Sequence, residues 1–130
     1  MSHQRDLKHL VIYQKSLDIF KLSRRIASYI TYDKDILSMY KSNKKADRYA
    51  DSLVMDALGL VPKIAETENQ NNPSLKLKYA KSLRISIDRL YSNSIKLEKT
   101  KVQGKEFIRL LRKELKHLRK LHKLYVNSLL

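Results

Sequence analysis

Between Phe107 and Tyr125 the chain reads FIRLLRKELKHLRKLHKLY, with apolar and basic residues interleaved at a spacing that suits a helix. At about 100° per residue, Ile108, Leu111, Leu115, Leu118, His122 and Tyr125 fall on one face. Arg109, Arg112, Lys113, Lys116, Arg119, Lys120 and Lys123 fall on the opposite face, with only Glu114 nearby to offset them. A solvated helix surface usually mixes signs, because opposite charges one turn apart help the helix and like charges oppose it. Seven cations on one face accept a self-repulsion that an anionic polymer relieves. The pattern therefore predicts a helix that buries one side and offers the other to phosphates.

Helical spacing continues through nearly the whole chain, interrupted by only two glycines and two prolines in 130 residues. A first segment runs from about Asp6 to Tyr29, with Leu10, Tyr13, Leu17 and Phe20 on one side and Ile12, Ile19, Ile26 and Ile30 on another. A second runs from about Ala46 to Glu66. The polar stretch between them, Thr31 to Lys45, reads as a loop with room for a helical turn. Pro62 lies inside the second segment, where a proline removes a backbone bond. Ile64 and Ala65 keep the apolar phase, so a kinked single helix is expected rather than a stop near Leu58. The third segment opens at Asn72-Pro73, which reads as an N-cap followed by a first-turn proline, and continues to about Leu97. The fourth is expected to begin near Lys101. No period-2 alternation marks a strand. One domain over residues 1–130, all-α and folded as an antiparallel four-helix bundle, is the expectation.

Leu110, Leu121 and Leu124 widen the apolar arc of the fourth segment beyond what a bundle helix needs. Either that helix sits deep between its neighbours or the excess forms a subunit interface; self-association is the expectation.

The formal net charge is +15 and is unevenly spread. Residues 1–70 hold 12 Lys/Arg against 9 Asp/Glu, whereas residues 71–130 hold 16 against 4. Such asymmetry implies a cationic face and an anionic partner: RNA, DNA or an acidic membrane surface. The membrane is disfavoured because the apolar faces are needed for the bundle. No run approaches the roughly 20 apolar residues of a membrane span. The opening MSHQRDLKHL has no apolar signal core, so a cytoplasmic protein is expected. Without cysteine there is neither a disulfide nor a thiolate metal site.

Catalytic chemistry finds little support. His3, His9, His117 and His122 lack acidic neighbours at ligand spacing, which argues against a metal. Carboxylates are scattered, no glycine-rich loop exists, and no cofactor is expected. Of the tyrosines, Tyr13, Tyr49, Tyr79 and Tyr125 fall on apolar rows and are read as core. Tyr29, Tyr32 and Tyr40 belong to the first connection or its approach. The nucleic-acid surface is therefore assigned to the seven cations of the fourth segment, with Lys81, Arg84 and Arg89 of the third. Contact there should be to phosphate rather than to base edges.

Two resemblances extend this reading. Arg112, four residues and then His117 resemble the paired Arg and His of the HEPN ribonucleases. That family usually places a small polar residue after the arginine, where this chain has Lys113. The opening Asp6-Leu-Lys-His-Leu-Val-Ile-Tyr-Gln-Lys-Ser-Leu-Asp-Ile-Phe20 resembles the first helix of four-helix-bundle proteins encoded in ribosomal RNA intervening sequences. It also resembles that of the accessory variability determinant proteins of diversity-generating retroelements. The basic third segment LKLKYAKSLRISIDRLY, the short linker and the ending Leu124-Tyr-Val-Asn-Ser128 look more like the second group. Intervening-sequence proteins usually carry Pro, Asn-Ile-Ala-Glu-Gly and then Arg, whereas this chain has Pro62-Lys-Ile-Ala-Glu66 followed by Thr67. The resemblance implies a homopentameric barrel and a non-enzymatic role beside a retroelement reverse transcriptase and its template RNA or cDNA. It also implies a channel lined by third-helix arginines; Arg84 matches one, and Asp88 stands one turn further on.

Overall fold

The computed structural model describes residues 10–31, 38, 44–100 and 102–130. Four long helices account for nearly all of them: α1 (Val11–Thr31), α2 (Lys45–Glu68), α3 (Pro73–Glu98) and α4 (Lys105–Ser128), with no strand among the described residues. Each helix packs against the next in the chain, and α4 closes the ring against α1. Cross-helix pairs run in opposite senses along neighbours. Lys76 meets Glu68 and Asn93 meets Asp56 between α3 and α2, while Arg119 meets Asp88 and Arg109 meets Glu98 between α4 and α3. The expected antiparallel four-helix bundle is the observed fold.

Its core takes one stripe from every helix. Ile12, Ile19 and Ile26 meet Leu53, Leu60 and Ile64, Leu83, Ile87, Leu90 and Leu97, and Ile108, Leu111, Leu115 and Leu118. Burying each such side chain contributes about 1.5–3 kcal/mol before the entropy of ordering the chain is set against it. The buried set of α4 is the six residues expected from its spacing, His122 and Tyr125 included. On α1 the isoleucine row is the buried one, interleaved with Ser16, Ser23 and Thr31, whereas Leu10, Tyr13 and Phe20 cover its flank. Ser16 Oγ donates to the Ile12 carbonyl at 2.8 Å and Thr31 Oγ1 to the Ala27 carbonyl at 2.6 Å. Ser23, fully buried, has no partner for its hydroxyl among the described residues.

Helix ends follow local chemistry. Asn72 Oδ1 accepts from the Leu75 amide at 3.1 Å and Pro73 takes the first turn, as expected. The second helix runs unbroken through Pro62. The fourth begins at Lys105 rather than near Lys101, because Gly104 adopts a left-handed φ of 79°. A Cβ there would stand 2.8 Å from Cε1 of Tyr29, whose ring also meets Phe107 edge-on with centroids 5.8 Å apart. The backbone conformation favours glycine, and a Cβ would in addition oblige the exposed Tyr29 ring to shift.

Two polar pairs interrupt the α2–α3 seam. Asn93 Nδ2 donates to Asp56 Oδ2 at 2.6 Å, and Lys63 Nζ donates to Ser86 Oγ at 3.0 Å. At one end of the bundle Glu68 accepts from the Tyr125 hydroxyl at 2.5 Å and pairs with Lys76 at 3.2 Å, joining α2, α3 and α4.

An unsatisfied buried hydroxyl costs about 1–3 kcal/mol, and alanine fills nearly the same space. Ser23→Ala should therefore leave stability unchanged or raise the thermal midpoint by a few degrees in circular dichroism. A drop comparable to losing a core methyl would show that the hydroxyl is bonded in solution.

Candidate nucleic-acid interface

Packing the α4 stripe inward turns the rest of that helix to solvent. Lys113, Lys116, Lys120 and Lys123 are all exposed, as are Lys81 and Arg84 on α3. Also exposed on α3 are Lys78 and Lys96. Both lie outside the ten cations expected from the sequence, where the basic character of the third segment is the signal for them. The two helices meet along an open groove of about 520 Å³ lined by Lys81, Arg84, Arg119, Lys120 and Lys123, with His122, Val126 and Asn127. The structure thus gathers five of the ten assigned cations at one place.

His122 is nearly buried beneath this groove, with Nε2 2.7 Å from the Ala80 carbonyl. A carbonyl only accepts, so Nε2 carries the proton and donates. The histidine acts as a strap between α4 and α3.

The charge balance differs from expectation in one respect. Glu114 offsets the α4 cations only in part: its charge meets that of Lys113, but its hydrogen bond is accepted from Lys15 Nζ of α1 at 2.7 Å. Further offset comes from two α3 carboxylates. Asp88 Oδ1 accepts from Arg84 Nε at 2.8 Å and from Arg119 Nη2 at 3.0 Å. The Arg119 guanidinium also lies 4.0 Å above the Tyr91 ring, a cation–π contact. Glu98 accepts from Arg109 Nε at 2.9 Å and from Arg112 Nη1 at 2.5 Å. The arginines of α4 are therefore paired, while its exposed lysines carry the outward charge. A helical wheel of α4 alone could not show this, because both carboxylates arrive from another helix.

Arg89 stands apart from the groove. Its charge acts on Asp56, on the α2 side of α3. Arg112 and His117 also diverge: five residues amount to about 140° around a helix. Arg112 turns to Glu98 of α3, whereas His117 acts on Glu114, on the α1 side. The two do not share a site within one copy of the chain.

Of the tyrosines, Tyr125 is buried and Tyr13, Tyr49 and Tyr79 are half-buried, whereas Tyr29 is exposed; Tyr32 and Tyr40 lie outside the described residues. Among the described residues no three His, Cys, Asp or Glu side chains cluster so as to hold a metal ion. No described helix is long and apolar enough to cross a membrane. Comparison of the chain with protein-family models, curated proteins and solved structures finds no match.

Hydrogen bonds from Arg112 and Arg109 hold the Glu98 carboxyl below its ordinary pKa, although partial burial opposes them. Burial pushes Asp88 up, but the bonds and charges of Arg84 and Arg119 outweigh it and leave a lowered value. The bond from Lys15 likewise lowers Glu114. Groups with depressed folded pKa values stabilise above their unfolded values and lose that contribution as pH falls through the folded ones. Asp51 and Asp56, raised chiefly by burial, act oppositely: their cost at neutral pH is relieved as they take up protons. Thermal melting should thus change little on first acidification and then fall steeply at strongly acid pH. Glu98→Gln should lower the neutral melting point and flatten the acid fall. A variant that tracks the parent at every pH would show that the Glu98 pairs contribute nothing.

Proposed function

We propose that this chain is a non-enzymatic, nucleic-acid-binding accessory protein that works as a homo-oligomer. Following the resemblance of its helices, we place it beside a retroelement reverse transcriptase and the template RNA or cDNA of that element, in mutagenic copying. The observation that carries the binding reading is the segregation of charge. The α4 helix holds eight Lys/Arg against two Asp/Glu, whereas α2 holds three against five. A chain kept soluble by repulsion alone has no need to gather cations on two adjacent helices. Lysines predominate at the outermost positions, which suits sequence-independent contact with phosphates.

Self-association is supported by what α4 leaves uncovered. Leu110 is 45% exposed and Leu124 65%, so the wide apolar arc is not absorbed by deep burial. Tyr29 and Phe107 add exposed aromatic surface at the α1–α4 junction. A pentamer is the assembly that the resemblance implies.

An intervening-sequence protein of nucleic-acid-related role would share these properties; location of the gene inside a ribosomal RNA gene or beside a reverse transcriptase separates the two. The HEPN-like ribonuclease is the weaker reading, because Arg112 is held by Glu98 and His117 lies on the other flank of α4.

Affinity for RNA or DNA should fall steeply with salt, by a slope of about 0.7–0.9 per phosphate neutralised. Replacing Lys113, Lys116 and Lys120 with glutamine should lower that slope by about two to three and weaken binding equally for unrelated sequences. Thermal stability should hold or rise as like-charge repulsion is relieved. Unchanged affinity at every salt concentration would reduce the stripe to a solvated face. Light scattering at moderate salt should report a mass several times that of the 15.3 kDa chain. Replacing Leu110 and Leu124 with glutamine should shift it toward the monomer. A parent that is monomeric at micromolar concentration would remove the oligomer from the reading.

A further inference from the structure

We propose that the α3–α4 groove seats a phosphate of the bound nucleic-acid strand, and that Asp88 is a built-in competitor that the phosphate displaces from Arg84 and Arg119. This rests on the nucleic-acid reading above and assigns to it a place and a control.

One carboxylate oxygen, Asp88 Oδ1, collects donors from two guanidiniums: Arg84 Nε at 2.8 Å, Arg119 Nη2 at 3.0 Å and Arg119 Nε at 3.2 Å. A phosphate oxygen uses the same donors with the same charge-assisted geometry. The partners differ in how firmly they are held. The Arg119 side chain is 28% exposed and stacked on Tyr91, whereas that of Asp88 is 47% exposed. Asp88 can swing out while Arg119 keeps its place. Exposed carboxylate–guanidinium pairs are weak, so exchange is open to a better anion.

A phosphate is that better anion because of what else the groove contains. Lys81, Lys120 and Lys123 line it with the two arginines. Among the described residues Asp88 is bonded to the two arginines. An anion seated in the groove lies within the field of all five cations. Beyond the groove lining, exposed Lys116 stands one helical turn before Lys120 on α4. From Lys116 to Lys123 the helix rises about 10 Å, three base steps of a B-form strand, which favours a polyanionic backbone over a lone ion. Asp88 thus discriminates by valence: ligands with one or two charges do not repay its displacement, and a strand does.

The test is fluorescence anisotropy with a labelled oligouridylate over a salt series. Asp88→Asn frees both arginines and should tighten binding about two- to fivefold, the range of an exposed charge pair. The salt slope should steepen by about one to two. Glu66→Gln changes net charge equally on exposed α2 and should do markedly less. In an Arg84→Gln/Arg119→Gln background, Asp88→Asn should have no effect. Inorganic phosphate should displace the strand no better than chloride at matched ionic strength.

If Asp88→Asn matches Glu66→Gln, or keeps its effect without the arginines, the seat is overturned while the nucleic-acid reading stands. Displacement by inorganic phosphate well beyond that by chloride would overturn the strand as the ligand of the groove. A parent that binds no strand removes both. Should Asp88→Asn not fold by circular dichroism, Lys81→Gln/Lys123→Gln tests the same groove from its exposed rim. A slope lower by about two supports the seat, and an unchanged slope overturns it.

Discussion

The angular pitch of the helix is the constraint from which the rest of this molecule follows. Once Ile108, Leu111, Leu115 and Leu118 turn inward to meet the stripes of three other helices, no freedom remains in where the intervening residues go. The lysines between them must face water, and they do so along one line. Apolar burial thus determines the electrostatic character of the surface, although it is indifferent to charge. The same pitch places Leu110 and Leu124 just beyond the edge of the core, outside what a single bundle can cover.

A surface assembled this way repels itself, and the neighbouring helix moderates that repulsion. Glu98 takes Arg109 and Arg112, and Asp88 takes Arg119 together with Arg84 of its own helix. Guanidiniums suit this work, since their planar forks match a carboxylate and Arg119 gains further from the Tyr91 ring. Lysine ammoniums, compact and well hydrated, remain at the outermost positions. Arginine joins the helices and lysine faces outward, a division of labour within one basic stripe.

The sequence carried the bundle clearly because the information needed was local. Apolar spacing, the Asn72-Pro73 start and the continued phase past Pro62 all reside within a turn or two of the residues they govern. The start of α4 is less legible: Gly104 takes a left-handed φ, and its lack of a Cβ leaves room for the Tyr29 ring, which arrives from α1. The site was legible to the same extent. Exposure of Lys113, Lys116, Lys120 and Lys123 follows from the wheel, and the convergence of Lys81 and Arg84 upon them follows from the bundle. The pairing of Arg109, Arg112 and Arg119 does not, since it depends on which face α3 presents. Nor does the separation of Arg89, which depends on Asp56 across the α2–α3 seam.

That seam has a consequence for how the helices find their alignment. Leucine and isoleucine faces tolerate sliding, because one methyl packs nearly as well against another when a helix shifts by a turn. Asn93 with Asp56, and Lys63 with Ser86, do not tolerate it: a shift of α3 along α2 parts both pairs and deprives the buried Asn93 and Ser86 of these partners. These bonds add modestly to stability but count heavily against every misaligned alternative. The positions of Asp88 and Glu98 opposite the α4 arginines are thereby inherited from an axial alignment set on the other side of α3.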